Sequence, residues 1–151
     1  MVGDAKMTAL DNSDVIKNVL KNLIDISGRK TSRGQAIDTI DTVMRKLENR
    51  YIFLKDIKII DNRYIENEEV IDITRDIDKV RSSDMGKALN DIILTTHYSL
   101  GENAGHFFIK ELQRNMGGDY NSVMKEMGVD LGLMQLEKEV KDLGKAISQK
   151  K

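Results

Sequence analysis

Residues 52–74 read Ile52-Phe53-Leu54-Lys55-Asp56-Ile57-Lys58-Ile59-Ile60-Asp61-Asn62-Arg63-Tyr64-Ile65-Glu66-Asn67-Glu68-Glu69-Val70-Ile71-Asp72-Ile73-Thr74, and they decide the fold class. On either side the apolar residues recur at helical spacing. Within this stretch they form short β-branched and aromatic runs instead. Ile57-Lys58-Ile59-Ile60 and Val70-Ile71-Asp72-Ile73-Thr74 read as two strands, with Tyr64-Ile65 between them. Glu66-Asn67-Glu68 can supply the hairpin turn, because Asn tolerates the left-handed region. Ile52-Phe53-Leu54 offers a third short strand. A bare hairpin is marginal in water, so this one must pack on helices.

Working outward, Asp11-Asn12-Ser13-Asp14 supplies capping chemistry for a first helix. Its apolar positions are Val15, Ile16, Val19, Leu20, Leu23 and Ile24, and Gly28 is the expected stop. Thr31-Ser32 caps a second helix striped by Ala36, Ile37, Ile40, Val43, Met44, Leu47 and Tyr51, with Asp38, Asp41, Arg45, Lys46, Glu48 and Asn49 on the opposite face. After the β segment, Ser82-Ser83 caps a third helix carrying Met85, Leu89, Ile92, Ile93, Thr96 and Leu100. Gly101 ends it, and Asn103 can cap a fourth with Phe108, Ile109, Leu112 and Met116. Gly117-Gly118-Asp119 opens a short fifth helix, and Gly128 with Asp130 opens the last.

The predicted fold is therefore α+β and mostly helical. About six helices carry one small antiparallel hairpin, or a three-stranded sheet, after the second helix. Residues 1–10 read as a flexible arm. Residues 11–151 read as a single compact domain: a helical hairpin over 11–50, a β-hairpin over 52–75 and a helical half over 83–149.

Composition narrows the function. The 151 residues carry 24 Lys+Arg and 25 Asp+Glu, so a near-neutral chain argues against a dedicated nucleic-acid binder. Cys is absent, which excludes a disulfide scaffold, thiol catalysis and Cys-ligated metal. No run of about 18 apolar residues exists and no leader pattern opens the chain, so the expected setting is cytoplasmic, away from membranes. Two helices followed by a hairpin suggest a winged helix-turn-helix. Yet the exposed face of the second helix carries Asp38, Asp41 and Glu48, which repel a duplex.

Catalytic and metal templates fail in turn. His97 and His106 lack a His-Glu-x-x-His spacing, and no metal or cofactor is expected. His97 borders the core stripe of the third helix, where a packed, hydrogen-bonded imidazole is expected; His106 should be exposed beside Lys110 and Gln113. Asp72, Asp76, Asp78 and Asp84 do not fit a calcium loop, since Arg81 and Lys87 fall where Gly and Glu are needed. They read as a solvated loop and a helix cap. No Gly-x-Ser-x-Gly elbow is present.

Two features survive. Arg29, Lys30, Thr31, Ser32 and Arg33 precede a helix N-terminus, where free N–H groups and the dipole favour an anion, although P-loop spacing is absent. Val129, Leu133, Leu136, Val140, Leu143 and Ile147 alternate spacings of four and three, the seam of a coiled coil. Glu137 and Lys141 form a favourable i,i+4 pair, and Lys138 with Asp142 a reversed one. Gly132 and Gly144 cost that helix about 1 kcal/mol each. Met116, Met124, Met127 and Met134 cluster nearby and suit either a core or an adaptable groove. The leading expectation is a non-catalytic interaction or regulatory module, homodimeric through its C-terminal helix and open to other protein partners. The alternative is an anion-binding domain using Arg29–Arg33.

Overall fold

The computed structural model describes residues 10–60 and 70–149, with side chains through Gly144 in the last helix. The N-terminal arm except Leu10, the Tyr64-Ile65 run and the expected turn at Glu66-Asn67-Glu68 lie outside the described residues. In chain order the elements are α1 (Asn12–Lys30), α2 (Arg33–Leu47), β1 (Ile57–Ile59), β2 (Ile71–Ile73), α3 (Ser82–Leu100), α4 (Phe108–Met116), α5 (Gly118–Glu126) and α6 (Leu131–Gln149). Three single 3₁₀ turns cover Ile52–Asp56, Arg75–Lys79 and Gly101–Ala104. The fold is α+β and mostly helical, with a two-stranded antiparallel sheet after the second helix.

Helix α1 is the hub, in contact with α2, α3 and α4. Its six predicted apolar positions are all buried, and Ile26 joins them. Gly28 does not stop it: the helix runs on to Lys30 and ends at Thr31, whose backbone N–H and Oγ1 both donate to the Ser27 carbonyl, at 2.9 and 2.8 Å. The hydroxyl adds a second donor to that carbonyl at the point where the helix ends, so a polar side chain marks the end that glycine did not. Ser32 caps α2 as expected, accepting from the Gln35 N–H at 3.2 Å.

Among the described residues the sheet has two strands. Ile57 pairs with Ile73, Lys58 with Asp72 and Ile59 with Ile71. Ile57 and Ile71 face the core, while Lys58 and Asp72 stand opposite each other in solvent. The expected third strand at 52–54 is instead a 3₁₀ turn. That turn drives Leu54 fully into the core while Ile52 stays outside, a division that packing favours over an unpartnered three-residue strand.

The acidic stretch acts structurally. Asp78 Oδ1 accepts from the Ser13 N–H at 2.8 Å, capping the start of α1 from another segment. Asn12 donates through Nδ2 to the carbonyls of Ile77 and Val80, which ties the same turn to α1. Among the described residues no group of His, Asp or Glu is arranged to hold a metal ion.

The C-terminal half hangs on α3 and α4. Gly86 of α3 lies against the turn after α5, so closely that a Cβ there would stand 1.9 Å from the Met127 carbonyl oxygen. Asn90, one turn on, donates to the Gly128 carbonyl. Asn103 does not cap α4: it lies in the 3₁₀ turn, and Phe107 occupies the cap position. Gly128 takes φ +97°, and Asp130 Oδ1 accepts from the Leu133 N–H at 3.0 Å to start α6. Met116, Met124 and Met127 are buried in the core, and Met134 is partly buried against it.

Candidate functional site

The cationic segment Arg29–Arg33 straddles the end of α1 and the start of α2, with Arg29 and Lys30 inside the helix rather than in a loop. Its cations face carboxylates. Lys30 Nζ lies 2.8 Å from Glu111 of α4, Arg29 lies 3.5 Å from the same carboxylate, and Arg33 lies 3.5 Å from Asp25. Thr31 and Ser32 spend their hydroxyls on the two helix ends. The dipole of α2 is thus available, but the surrounding positive charge is matched locally.

Helix α6 has two faces of opposite character. It rests on α4 through Leu131, Met134 and Gln135. Gln135 is only 5% exposed, and both ends of its amide are satisfied: Oε1 accepts from the Lys110 N–H at 3.1 Å and Nε2 donates to the His106 carbonyl at 3.2 Å. Gly132 sits where Gln113 Nε2 would come within 3.3 Å of a Cβ, so its missing side chain also serves close approach to α4. On the far face, Leu133 (52% exposed), Leu136 (55%), Val140 (62%) and Leu143 (63%) form a solvent-facing apolar stripe. Val129 does not belong to it. It precedes α6, bonds Met124 through its backbone and is buried, so the expected six-residue seam begins at Leu133. The side chain of Ile147 lies outside the described residues. Lys138 and Asp142 pair at 2.7 Å, whereas Glu137 and Lys141 form no ion pair, the reverse of the order helix geometry favours. Tertiary contact explains it: Asp142 is also drawn to His106 Nδ1 at 3.2 Å, across the α4–α6 junction.

Where α6 passes the end of α3, a cleft of about 560 Å³ opens, with Leu94, Ile109 and Met134 among its lining. His97 also lines it, packed edge-on against Phe108 with ring centroids 5.6 Å apart. Its Nε2 is buried without a hydrogen-bond partner among the described residues, which departs from the satisfied core imidazole expected at that position. Burial, and then the nearby Lys138 ammonium, push the His97 pKa below the usual value, against a smaller opposing pull from Asp142. His106 is half-exposed, stacked edge-on against Phe107 at 4.8 Å.

No family model, curated protein or solved structure matches the chain. Function must therefore be argued from the stripe, the cations and the cleft themselves. Among the described residues no helix is long and apolar enough to cross a membrane.

The sequence reading found the stripe because a spacing of three and four is visible in one dimension. It missed the cleft, which joins residues of α3, α4 and α6 more than forty positions apart along the chain, from Leu94 to Asp142. It also missed Gln135, since a buried glutamine has no signature until its two partners are in place.

Proposed function

We propose that this chain is a non-catalytic, cytoplasmic interaction module that dimerises by pairing α6 with α6 of a second copy. The observation that carries the reading is the row Leu133, Leu136, Val140 and Leu143, each more than half exposed on one face. A helix docked on its own domain ordinarily turns its apolar stripe inward. Here the inward face is anchored by Gln135 and by the contact of Asp142 with His106, so the apolar area still lacks cover among the described residues. Covering it is worth roughly 25 cal/mol per Å².

The stripe fits a copy of itself better than an unrelated groove. Leu133, Val140 and Ile147 fall on one row of the heptad, and Leu136 and Leu143 on the other. Two of the three first-row residues, Val140 and Ile147, are β-branched and the second row is leucine, a combination that favours two parallel strands. In that alignment Gly132 faces the partner's Glu137 and Glu139 faces the partner's Gly144, so no like charges meet. The antiparallel alignment centred on the same stretch brings Glu139 against the partner's Glu139. Fewer than three heptads make a short seam, so the pair should be reversible and concentration-dependent.

Native mass spectrometry and sedimentation equilibrium test this. The expected result is a dimer that Leu136→Lys with Leu143→Lys converts to a folded monomer. A wild-type chain that stays monomeric at its highest soluble concentration, or a double variant of unchanged mass, overturns the reading. Because the chain has no Cys, Leu136→Cys adds orientation: oxidation should cross-link position 136 to itself in a parallel pair. Anion capture by Arg29, Lys30 and Arg33 has less support, since a ligand would compete with Glu111 and Asp25 for the same cations.

A further inference from the structure

The cleft between the end of α3, the 3₁₀ turn at Gly101–Ala104 and α6 has a use that the pairing of α6 does not supply. Its volume of about 560 Å³ lies within the range of small-molecule sites, roughly 300–1,000 Å³. Leu94, Ile109 and Met134 give it apolar surface for a hydrocarbon body. The Tyr98 ring, 69% exposed, stands at its edge.

Charge then chooses the class of ligand. Three carboxylates line the cleft (Glu102, Glu137 and Asp142) against two ammonium groups (Lys138 and Lys141). Lys138 is held by Asp142 at 2.7 Å, and Asp142 also faces His106, so these groups answer one another. Glu102 and Glu137 are left beside Lys141, an excess of negative charge. His97 adds no positive charge near neutral pH, because burial and Lys138 keep its ring neutral. With the Lys138–Asp142 pair set aside, an organic anion would meet two carboxylates, Glu102 and Glu137, and a single ammonium, Lys141. An organic cation meets two carboxylates that form no ion pair among the described residues, Glu102 and Glu137, and an aromatic face, the combination that recognises ammonium groups.

We propose that this cleft binds a small organic ammonium compound with an apolar body, of the arylalkylamine type. The hydrocarbon part lies on Leu94, Ile109 and Met134. The ammonium group is held by Glu102 and Glu137 with the ring of Tyr98. Glu137 also flanks the proposed α6 pair, but the test reads binding rather than mass, so failure of this assignment is distinguishable from failure of the pairing.

The test uses the full chain labelled at its methionine methyl groups, titrated with 2-phenylethylamine and, in parallel, with 3-phenylpropionate, a probe of similar size and opposite charge. The amine should shift the Met134 methyl resonance saturably while the buried Met124 methyl stays in place, and the carboxylate should not. Glu102→Gln with Glu137→Gln should weaken the amine about tenfold or more, as expected when charged hydrogen-bond acceptors are lost. Tyr98→Leu, at an exposed position that leaves the fold intact, should weaken it several-fold. An amine that shifts nothing, a propionate that binds as tightly, or variants that keep the wild-type affinity would each overturn the proposal.

Discussion

Helix α2 buries Ala36, Ile37, Ile40, Val43, Met44 and Leu47, whereas α6 leaves Leu133, Leu136, Val140 and Leu143 in solvent. Both stripes are regular, and both helices carry charges on the face away from the stripe. The difference lies in what the opposite face can do. On α2 the far side offers Asp41, Arg45 and Glu48, which pair among themselves, while Arg45 reaches the Ile57 carbonyl at 2.7 Å. Only the apolar side is left to meet α1 and α3. On α6 the polar side carries Gln135 and Asp142, whose partners stand ready on the segment from His106 to Lys110. Two satisfied amide bonds and the flanking Leu131 hold that side down and turn the leucines outward. An apolar stripe therefore names a surface that must be covered, but not the molecule that covers it.

The contrast can be broken most directly by truncation. Ile40→Ala should cost about 3 kcal/mol, the usual penalty for emptying a tightly packed core position. Val140→Ala in dilute, monomeric protein should stay within about 0.5 kcal/mol, as surface changes do. Chemical denaturation of the two variants checks this, and equal losses would show that α6 buries its stripe after all.

A smaller effect is expected at the anchor. Gln135→Ala leaves the Lys110 N–H and the His106 carbonyl without their partner, at a cost of about 1–2 kcal/mol. Amide exchange should quicken through α6 and at Lys110 and stay unchanged through α2. Uniform acceleration would mean that α6 is not a separately held element.

The smallest effect is a pH dependence at the α3–α6 junction. His97 has a folded-state pKa below its unfolded value, so the unfolded chain binds more protons as the solution is acidified. Its contribution is complete above about pH 6.5 and is lost as pH falls from there toward the folded value. The melting temperature should drop between about pH 7.5 and about pH 5, and His97→Phe should reduce that drop. A drop of the same size in the variant would place the effect elsewhere.

Much of the architecture was legible one residue at a time. The stripes of α1 and α2, the Ser32 cap and the glycine stops at Gly101 and Gly117 follow from periodicity and backbone sterics, which are local. Where the reading strayed, a distant partner intervened. Leu54 entered the core and bent 52–54 into a turn, and Thr31 took over the helix end predicted at Gly28. Gly86 carries no signal in sequence, because its need appears only when the Met127 carbonyl arrives from forty residues away.

By itself the sequence determined the helices, the hairpin, the absence of thiol chemistry and the existence of an apolar row at 133–143, since each rests on residue type and spacing. Tertiary structure alone decided that the row faces outward, that Val129 leaves it, that Arg29, Lys30 and Arg33 meet carboxylates, and that His97, Glu102 and Glu137 share a cleft. Those outcomes depend on which buried polar groups find partners, and a partner is a place in space before it is a position in the chain.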